Sequence, residues 1–156
     1  NLCNNMISRH ISDKESVYSR TALRLEIKNK PNKQQLNNMV ELAENIFEPL
    51  RTYANGPIKI NSFFRSPDLN KAIGGSGKSQ HCNGQAIDLD DTFKHLTNAE
   101  MYRFIKENLD FDQIIWEFGT DKNPDWVHVS YVSPQENRNR CLKAYKQNNK
   151  TKYKII

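Results

Sequence analysis

The sequence lacks the features that mark several special classes of protein. It has only 3 cysteines in 156 residues, far apart and without a Cys-x-x-Cys pair, so neither a disulfide scaffold nor a thiolate zinc site is predicted. No apolar run approaches the roughly 18 residues that a membrane-spanning helix requires. The first residues show no basic segment followed by an apolar one, so no signal peptide is predicted. We therefore expect no stable insertion into a membrane.

Acidic residues are missing from the C-terminal segment. Residues 137–156 contain seven Lys or Arg and no Asp or Glu, although the whole chain has a net charge of only +5. Such a segment attracts anionic polymers, but it is equally typical of a solvated face on a terminal hairpin. No nucleic-acid-binding motif accompanies the charge, so nucleic acid is not expected as a partner.

The remaining features are those of an ordinary folded domain, with 37% hydrophobic and 26% charged residues. The length fits one domain with its own core. Helices are predicted after Asn32, Ser66 and Thr97, which are good N-cap residues. Alternation of polar and apolar residues predicts strands over 58–64, 85–89, 113–118 and 126–131, and a basic hairpin over 139–156. These elements indicate a single α+β domain.

We divide the chain into three segments. Residues 1–30 have weak periodicity and are expected to form an arm that lies on the domain. Residues 31–140 form the main domain, and residues 141–156 form the hairpin, packed on the same domain. The helix after Asn32 is expected to bury Leu36 and the apolar residues that follow it at helical spacing, and to kink at Pro49.

The most informative stretch is Ser-Gln-His-Cys-Asn-Gly-Gln-Ala-Ile-Asp, residues 79–88. It contains His81 and Asp88 on either side of Gly84, and a second histidine, His128, follows 40 residues after Asp88. Asp88 and His128 lie on the polar faces of their predicted strands, and Gly84 allows the loop to turn back sharply. Two imidazoles and a carboxylate are three of the four ligands that catalytic zinc takes, with one position left for water. We therefore predict one Zn²⁺ ion bound by His81, Asp88 and His128.

Four further residues are candidates for roles beside the metal. Asp125 follows Pro124 in a predicted turn, and we expect its carboxylate to reach the metal-bound water and act as a general base. Arg65 ends a predicted strand and is expected to bind a substrate carboxylate or an oxyanion. Ser79 either hydrogen-bonds substrate or shapes the loop, and Glu117 is assigned with it to substrate binding. The alternatives are a plain turn residue for Asp125 and a surface residue for Arg65.

These residues resemble a known family. Ser79-x-His81-x-x-Gly84-x-Ala86-x-Asp88, with Asp125-Trp-Val-His128, resembles the zinc D-alanyl-D-alanine carboxypeptidases and L-alanyl-D-glutamate endopeptidases. Phe-Arg-Ser-Pro at 64–67 is similar to an arginine motif of that family, and residues 115–119 and 128–131 are similar to a branch common in phage and bacterial genomes.

The resemblance spans residues 31–140 and has several implications. It implies a Hedgehog/DD-peptidase-like α+β fold with a small, mainly antiparallel sheet and flanking helices. It implies a metallopeptidase that hydrolyses peptidoglycan stem peptides, with one zinc ion. We expect a monomer that acts at the bacterial cell wall, either released from the cytoplasm, carried by a phage particle, or processed from a precursor.

Two other interpretations compete with this one. Residues 72–79 match a relaxed phosphate-loop pattern, but that loop should follow a strand and open a helix, and this stretch does neither. The stronger alternative is a zinc-stabilised structural or wall-binding module, for example of a virion, with little catalysis. A general base beside an open metal position distinguishes the enzyme from the module.

Overall fold

The computed structural model describes residues 5–156, which leaves Cys3 outside the described part of the chain. Its centre is a six-stranded sheet in the order β3-β4-β6-β5-β7-β8. All neighbouring strands in this sheet are antiparallel except β5 and β7, which are parallel. Helices flank the sheet, so the predicted single α+β domain with a mainly antiparallel sheet is confirmed.

The elements follow one another along the chain with short connections. The strands are β1 (Met6–Ser8), β2 (Ile11–Ser12), β3 (Lys59–Ser62), β4 (Ala86–Asp90), β5 (Gln113–Glu117), β6 (Trp126–Ser130), β7 (Arg140–Gln147) and β8 (Lys150–Ile155). The helices are α1 (Asp13–Val17), α2 (Arg20–Leu25), α3 (Lys33–Leu42), α4 (Glu48–Ala54), α5 (Pro67–Ala72) and α6 (Asn98–Asn108).

The two faces of the sheet have different environments. The apolar face of β4, with Ile87 and Leu89, packs against the long helices in the main core, as alternation predicts. Helix α6 covers this face and begins with a capping box between Thr97 and Glu100. The opposite face carries Asp88 and is left open to a cleft. The sheet therefore has one face in the packed core and one polar face that borders the cleft.

Helix α3 begins with a capping box between Asn32 and Gln35. It continues through a π-helical turn (Ala43–Phe47) directly into α4. Pro49 has no N–H to donate to the preceding turn, and the wider π-helical turn lies where the sequence predicts a kink. Leu36, predicted to be buried, is 39% exposed.

The N-terminal segment is more than an arm on the surface. Ile7 and Ile11 of the β1–β2 hairpin are buried in the same core as α3 and α4. At the other end, β7 and β8 form the predicted hairpin, and the turn residues Asn148 and Asn149 both have positive φ. Every residue of β8 is exposed, so this strand forms an uncovered edge of the sheet. Within residues 5–156, no helix has the length and apolarity to cross a membrane.

Candidate metal centre

Two neighbouring strands place Asp88 and His128 side by side. The register of β4 and β6 pairs Asp88 directly with His128, and directly opposed residues of antiparallel strands project from the same face of the sheet. The Asp88 Oδ1 atom lies 2.9 Å from Nδ1 of His128. The period of two along each strand is therefore enough to bring these predicted ligands together.

His81 lies in a short 3-10 turn (Gln80–Asn83) that places its side chain beside Asp88. Ser79 caps this turn, since its hydroxyl oxygen accepts a hydrogen bond from the His81 backbone N–H at 3.2 Å. Gly84 ends the turn with φ +72°, and a Cβ there would lie 2.5 Å from the carbonyl oxygen of Gln35. Glycine thus meets two requirements here, a left-handed backbone and a close approach to α3.

The ring orientation of His81 is fixed by the strand end next to it. Its Nδ1 lies 2.7 Å from the Phe63 carbonyl oxygen, which can only accept, so Nδ1 carries the proton. The other nitrogen, Nε2, faces Asp88 Oδ2 at 3.3 Å with a free lone pair. A backbone carbonyl that holds the far side of an imidazole is the usual support of a metal-binding histidine.

The three side chains fit a metal ion. One ligand atom from each of His81, Asp88 and His128 lies within 4.8 Å of the other two. Burial lowers the pKa of His81, which keeps its imidazole neutral. Burial raises the pKa of Asp88, but the charge and hydrogen bonds of His81 and His128 in their protonated forms outweigh it and hold the pKa well below its usual range, so the carboxylate is charged. Neutral imidazoles and an ionised carboxylate are the forms that bind zinc.

Arg65 and Ser79 border this cluster. A terminal guanidinium nitrogen (Nη2) of Arg65 donates to Ser79 Oγ at 3.3 Å, while its Nε is buried and has no hydrogen-bond partner among the described residues. Burial lowers the pKa of Arg65, and the charge of Asp88 opposes that effect. Ser79 therefore shapes the turn that carries His81 and also contacts Arg65. Both residues line the cleft, where a substrate oxygen can reach the guanidinium.

Glu117 lies on the same face of the sheet as the metal ligands. It is 7% exposed and borders the cleft that also contains His81, Asp88 and His128. Burial raises the pKa of its carboxyl to about 7, with His128 lowering it and Asp88 raising it further. From the sequence, Glu117 is predicted to take part in substrate binding. The structure places a carboxyl that titrates near neutrality beside the candidate metal site.

Asp125 lies in a bend directly before β6, which begins at Trp126, so the predicted turn is present. Its backbone N–H donates to the Glu117 carbonyl oxygen at 2.8 Å. Its side chain is exposed, and Asp125 is not among the residues that line the cleft. The catalytic role of Asp125 stays a prediction.

The cleft above the metal ligands has a volume of about 580 Å³. We call it the hairpin-side cavity, because β7 and β8 form one of its walls. Its lining outside the predicted site residues includes Lys78, Trp126, Arg140, Leu142 and Tyr153. None of these five was predicted as a site residue. Arg140, Leu142 and Tyr153 belong to the basic C-terminal segment, whereas Lys78 directly precedes Ser79 and Trp126 lies inside the Asp125–His128 motif.

A buried carboxylate anchors the turn that carries His81. Asp112 accepts hydrogen bonds from Gln80 Nε2 at 3.0 Å and from Arg138 through its backbone N–H, Nε and Nη2, at 3.1, 2.9 and 2.8 Å. The Asp112 side chain is 3% exposed. Burial raises the pKa of Asp112, but the bonds from Arg138 and Gln80 outweigh it and lower the pKa below its usual value. This network was not predicted, because it joins three distant parts of the chain.

Comparison with known proteins supports the chemistry of the site. A family model described as Peptidase M15 matches residues 9–130, a span that contains all three candidate metal ligands, Arg65 and Glu117. No curated protein matches this chain. The match covers more than half of the chain and begins inside the segment predicted as an arm. The chain belongs to the peptidase M15 family, whose members are zinc-dependent metallopeptidases, as the sequence motif predicts.

Proposed function

We propose that this protein is a zinc peptidase that hydrolyses peptide bonds in peptidoglycan stem peptides at the bacterial cell wall. The observation that carries the proposal is the His81–Asp88–His128 cluster, which lies at the base of an open cleft within the family match. The D,D-carboxypeptidase and L-Ala-D-Glu endopeptidase activities both fit this site. We propose a single zinc ion and a monomeric enzyme.

The ligand set defines what the metal would contribute. Zinc held by His81, Asp88 and His128 would supply a Lewis acid that lowers the pKa of a bound water to about 7. Asp88 presents both carboxylate oxygens, one toward each imidazole. The Phe63 carbonyl holds His81 in the tautomer that leaves Nε2 free to bind.

We assign the proton transfers to Glu117 and keep Asp125, three residues before His128, as the second candidate. A general base must lie within reach of the reacting water, and Glu117 borders the cleft that contains the three candidate ligands. Burial raises the pKa of Glu117 to about 7 in the metal-free protein. The carboxylate of Glu117 can accept a proton from water, hold it on one oxygen, and donate it to the leaving amine.

Arg65 supplies positive charge on the other side of the cluster. Its guanidinium is half-buried and contacts Ser79, and its Nε–H has no partner within residues 5–156. A guanidinium in a partly desolvated position can bind the oxygen that becomes negative as a carbonyl is attacked, or a substrate carboxylate. Ser79 orients this guanidinium through its hydroxyl group.

The test is a digestion of purified peptidoglycan by the zinc-loaded protein, followed by mass spectrometry. Free D-Ala identifies a carboxypeptidase, and a cut between L-Ala and D-Glu identifies an endopeptidase. We expect His81→Ala to lose both zinc and activity, and the exposed His95→Ala to keep both. Glu117→Gln should keep zinc and lose activity, while Asp125→Asn should keep both. Bound zinc without any product would favour a structural or wall-binding module instead.

A further inference from the structure

The face of the sheet that carries two of the candidate metal ligands continues beyond them to the edge of the sheet. Strand register places five residues in one row across this face, since each is paired directly with the next: Asp88, His128, Ile115, Leu142 and Ile155. Directly opposed residues project from the same face, and neighbouring strands lie roughly 5 Å apart. The row therefore extends roughly 14 Å beyond His128, as far as the exposed strand β8.

The outer part of this face is apolar. A second row lies beside the first and consists of Trp126, Glu117, Ala144 and Tyr153. Ala144 has only a methyl group and is fully buried, whereas Tyr153 at the outer end is 55% exposed. Ile115, Leu142 and Ala144 form a small apolar cluster of their own, separate from the main core. We use the name hairpin shelf for the apolar residues of both rows beyond His128, which are Ile115, Leu142, Ala144, Tyr153 and Ile155.

Polar side chains border the hairpin shelf on one side. Gln113 and Arg140 are directly paired in register, and both line the hairpin-side cavity together with Leu142 and Tyr153. An amide both donates and accepts hydrogen bonds, and a guanidinium donates them. Within residues 5–156, no carboxylate forms an ion pair with Arg140. The shelf thus combines an apolar, aromatic surface with hydrogen-bonding groups along its border.

A sugar ring fits this combination of groups. A pyranose has C–H groups on its faces and hydroxyl groups around its rim, so it packs on an aromatic ring and forms hydrogen bonds beside it. Peptidoglycan stem peptides are attached to a glycan strand of N-acetylated sugars. Among residues 5–156, β8 is the last strand of the sheet and every residue in it is exposed, so a long polymer can leave the cleft over this edge.

We propose that the hairpin shelf is a glycan-binding subsite, on which Tyr153 packs against a sugar ring and Gln113 and Arg140 form hydrogen bonds with that sugar. This inference rests on the proposed peptidase function and adds a second determinant of substrate choice. The residues that contact the sugar lie on β5, β7 and β8, whereas the candidate metal ligands lie on β4, β6 and the 3-10 turn. Sugar binding and metal binding can therefore be altered separately.

The first test measures sugar binding without catalysis. Chitotetraose, a peptide-free tetramer of N-acetylglucosamine, is titrated into the zinc-loaded protein by isothermal titration calorimetry. We expect Tyr153→Ala to raise Kd roughly three- to tenfold, as the loss of one aromatic contact predicts. The matched control is Tyr145→Ala, a tyrosine on the opposite face of the same hairpin, whose ring lies 5.7 Å from the Lys154 Nζ atom. An equal Kd for the two variants, or no binding to wild type, would refute the subsite.

The second test compares hydrolysis of a stem peptide that carries its disaccharide with hydrolysis of the same peptide without sugar. We expect the disaccharide to raise kcat/KM roughly three- to tenfold through a lower KM, and Tyr153→Ala to remove most of that gain. Equal kcat/KM values for the two substrates would overturn the inference and leave the peptidase function intact. Failure to cut either substrate would remove the peptidase function and, with it, the role of the shelf in substrate choice.

Discussion

Replacing Asp112 by alanine should destabilise the fold and weaken the metal site together. Asp112 is buried and accepts four hydrogen bonds, three from Arg138 and one from Gln80. Breaking a buried charged pair costs about 3–5 kcal/mol, but the guanidinium of Arg138 is half-exposed and recovers hydration. The hydrogen bonds from Gln80 and from the Arg138 backbone go to a charged group, and each contributes about 1.5–3 kcal/mol before hydration of the freed donors offsets part of the loss. We expect a loss of about 3 kcal/mol.

This loss should be measurable as a shift in Tm. For a domain of this size each kcal/mol lowers Tm by about 2–4 °C, so Asp112→Ala should unfold roughly 6–12 °C earlier in thermal scans followed by circular dichroism. Gln80 immediately precedes His81, so releasing its side chain should also weaken zinc binding, by roughly tenfold in a chelator competition.

The matched control for this experiment is Asp110→Ala. Asp110 is an exposed carboxylate two residues earlier in the chain, so its removal tests the effect of charge alone. Equal Tm values for the two variants would show that the Asp112 network does not stabilise the fold. A lower Tm with unchanged zinc affinity would refute the coupling between Asp112 and the turn that carries His81.

Three further predictions follow from the same geometry. Gly84→Ala should lower stability by more than about 1 kcal/mol, because a Cβ on a left-handed backbone would overlap the Gln35 carbonyl oxygen; a Tm equal to that of wild type would contradict this. Added zinc should raise Tm of the wild type and leave that of His81→Ala unchanged in the same scan. Burial raises the pKa of Glu117 to about 7 from an ordinary value of 4.5, so the metal-free fold binds this proton more tightly than the unfolded chain does. The stabilisation of the fold by this proton is therefore fully present below about pH 4.5 and is lost as pH rises through 7. Between pH 4.5 and 7, the free energy of unfolding of Glu117→Gln, measured with urea, should rise by up to about 3 kcal/mol relative to that of wild type. If the free energies of the two proteins changed with pH in parallel, the raised pKa of Glu117 would be refuted.

The positions of two candidate metal ligands, Asp88 and His128, were predictable because strand alternation decides which face of the sheet they occupy. Alternation along β4 and β6 puts Asp88 and His128 on the polar face whatever the details of packing. The N-caps at Asn32 and Thr97 were predictable for the same reason, since a cap depends on residues three positions apart.

The environment of the carboxylates was not predictable from local rules. The Asp125 side chain is exposed, and its backbone N–H donates to the carbonyl oxygen of Glu117, eight residues earlier in the sequence. Glu117 is buried because β7 pairs in parallel with β5, a contact between segments far apart in sequence. The catalytic roles of Asp125 and Arg65 therefore stay predictions, while the fold and the family are confirmed.

The exposed strand β8 also has a consequence for association between copies of the protein. An uncovered edge strand presents unpaired backbone groups to which another chain can add, and such edges promote aggregation. Lys150, Lys152 and Lys154 alternate along this edge, so they project from one face at intervals of roughly 7 Å. A second copy of β8 would bring like charges together, which makes edge-to-edge pairing unfavourable. We therefore expect the basic C-terminal segment to disfavour polymerisation through this edge of the sheet.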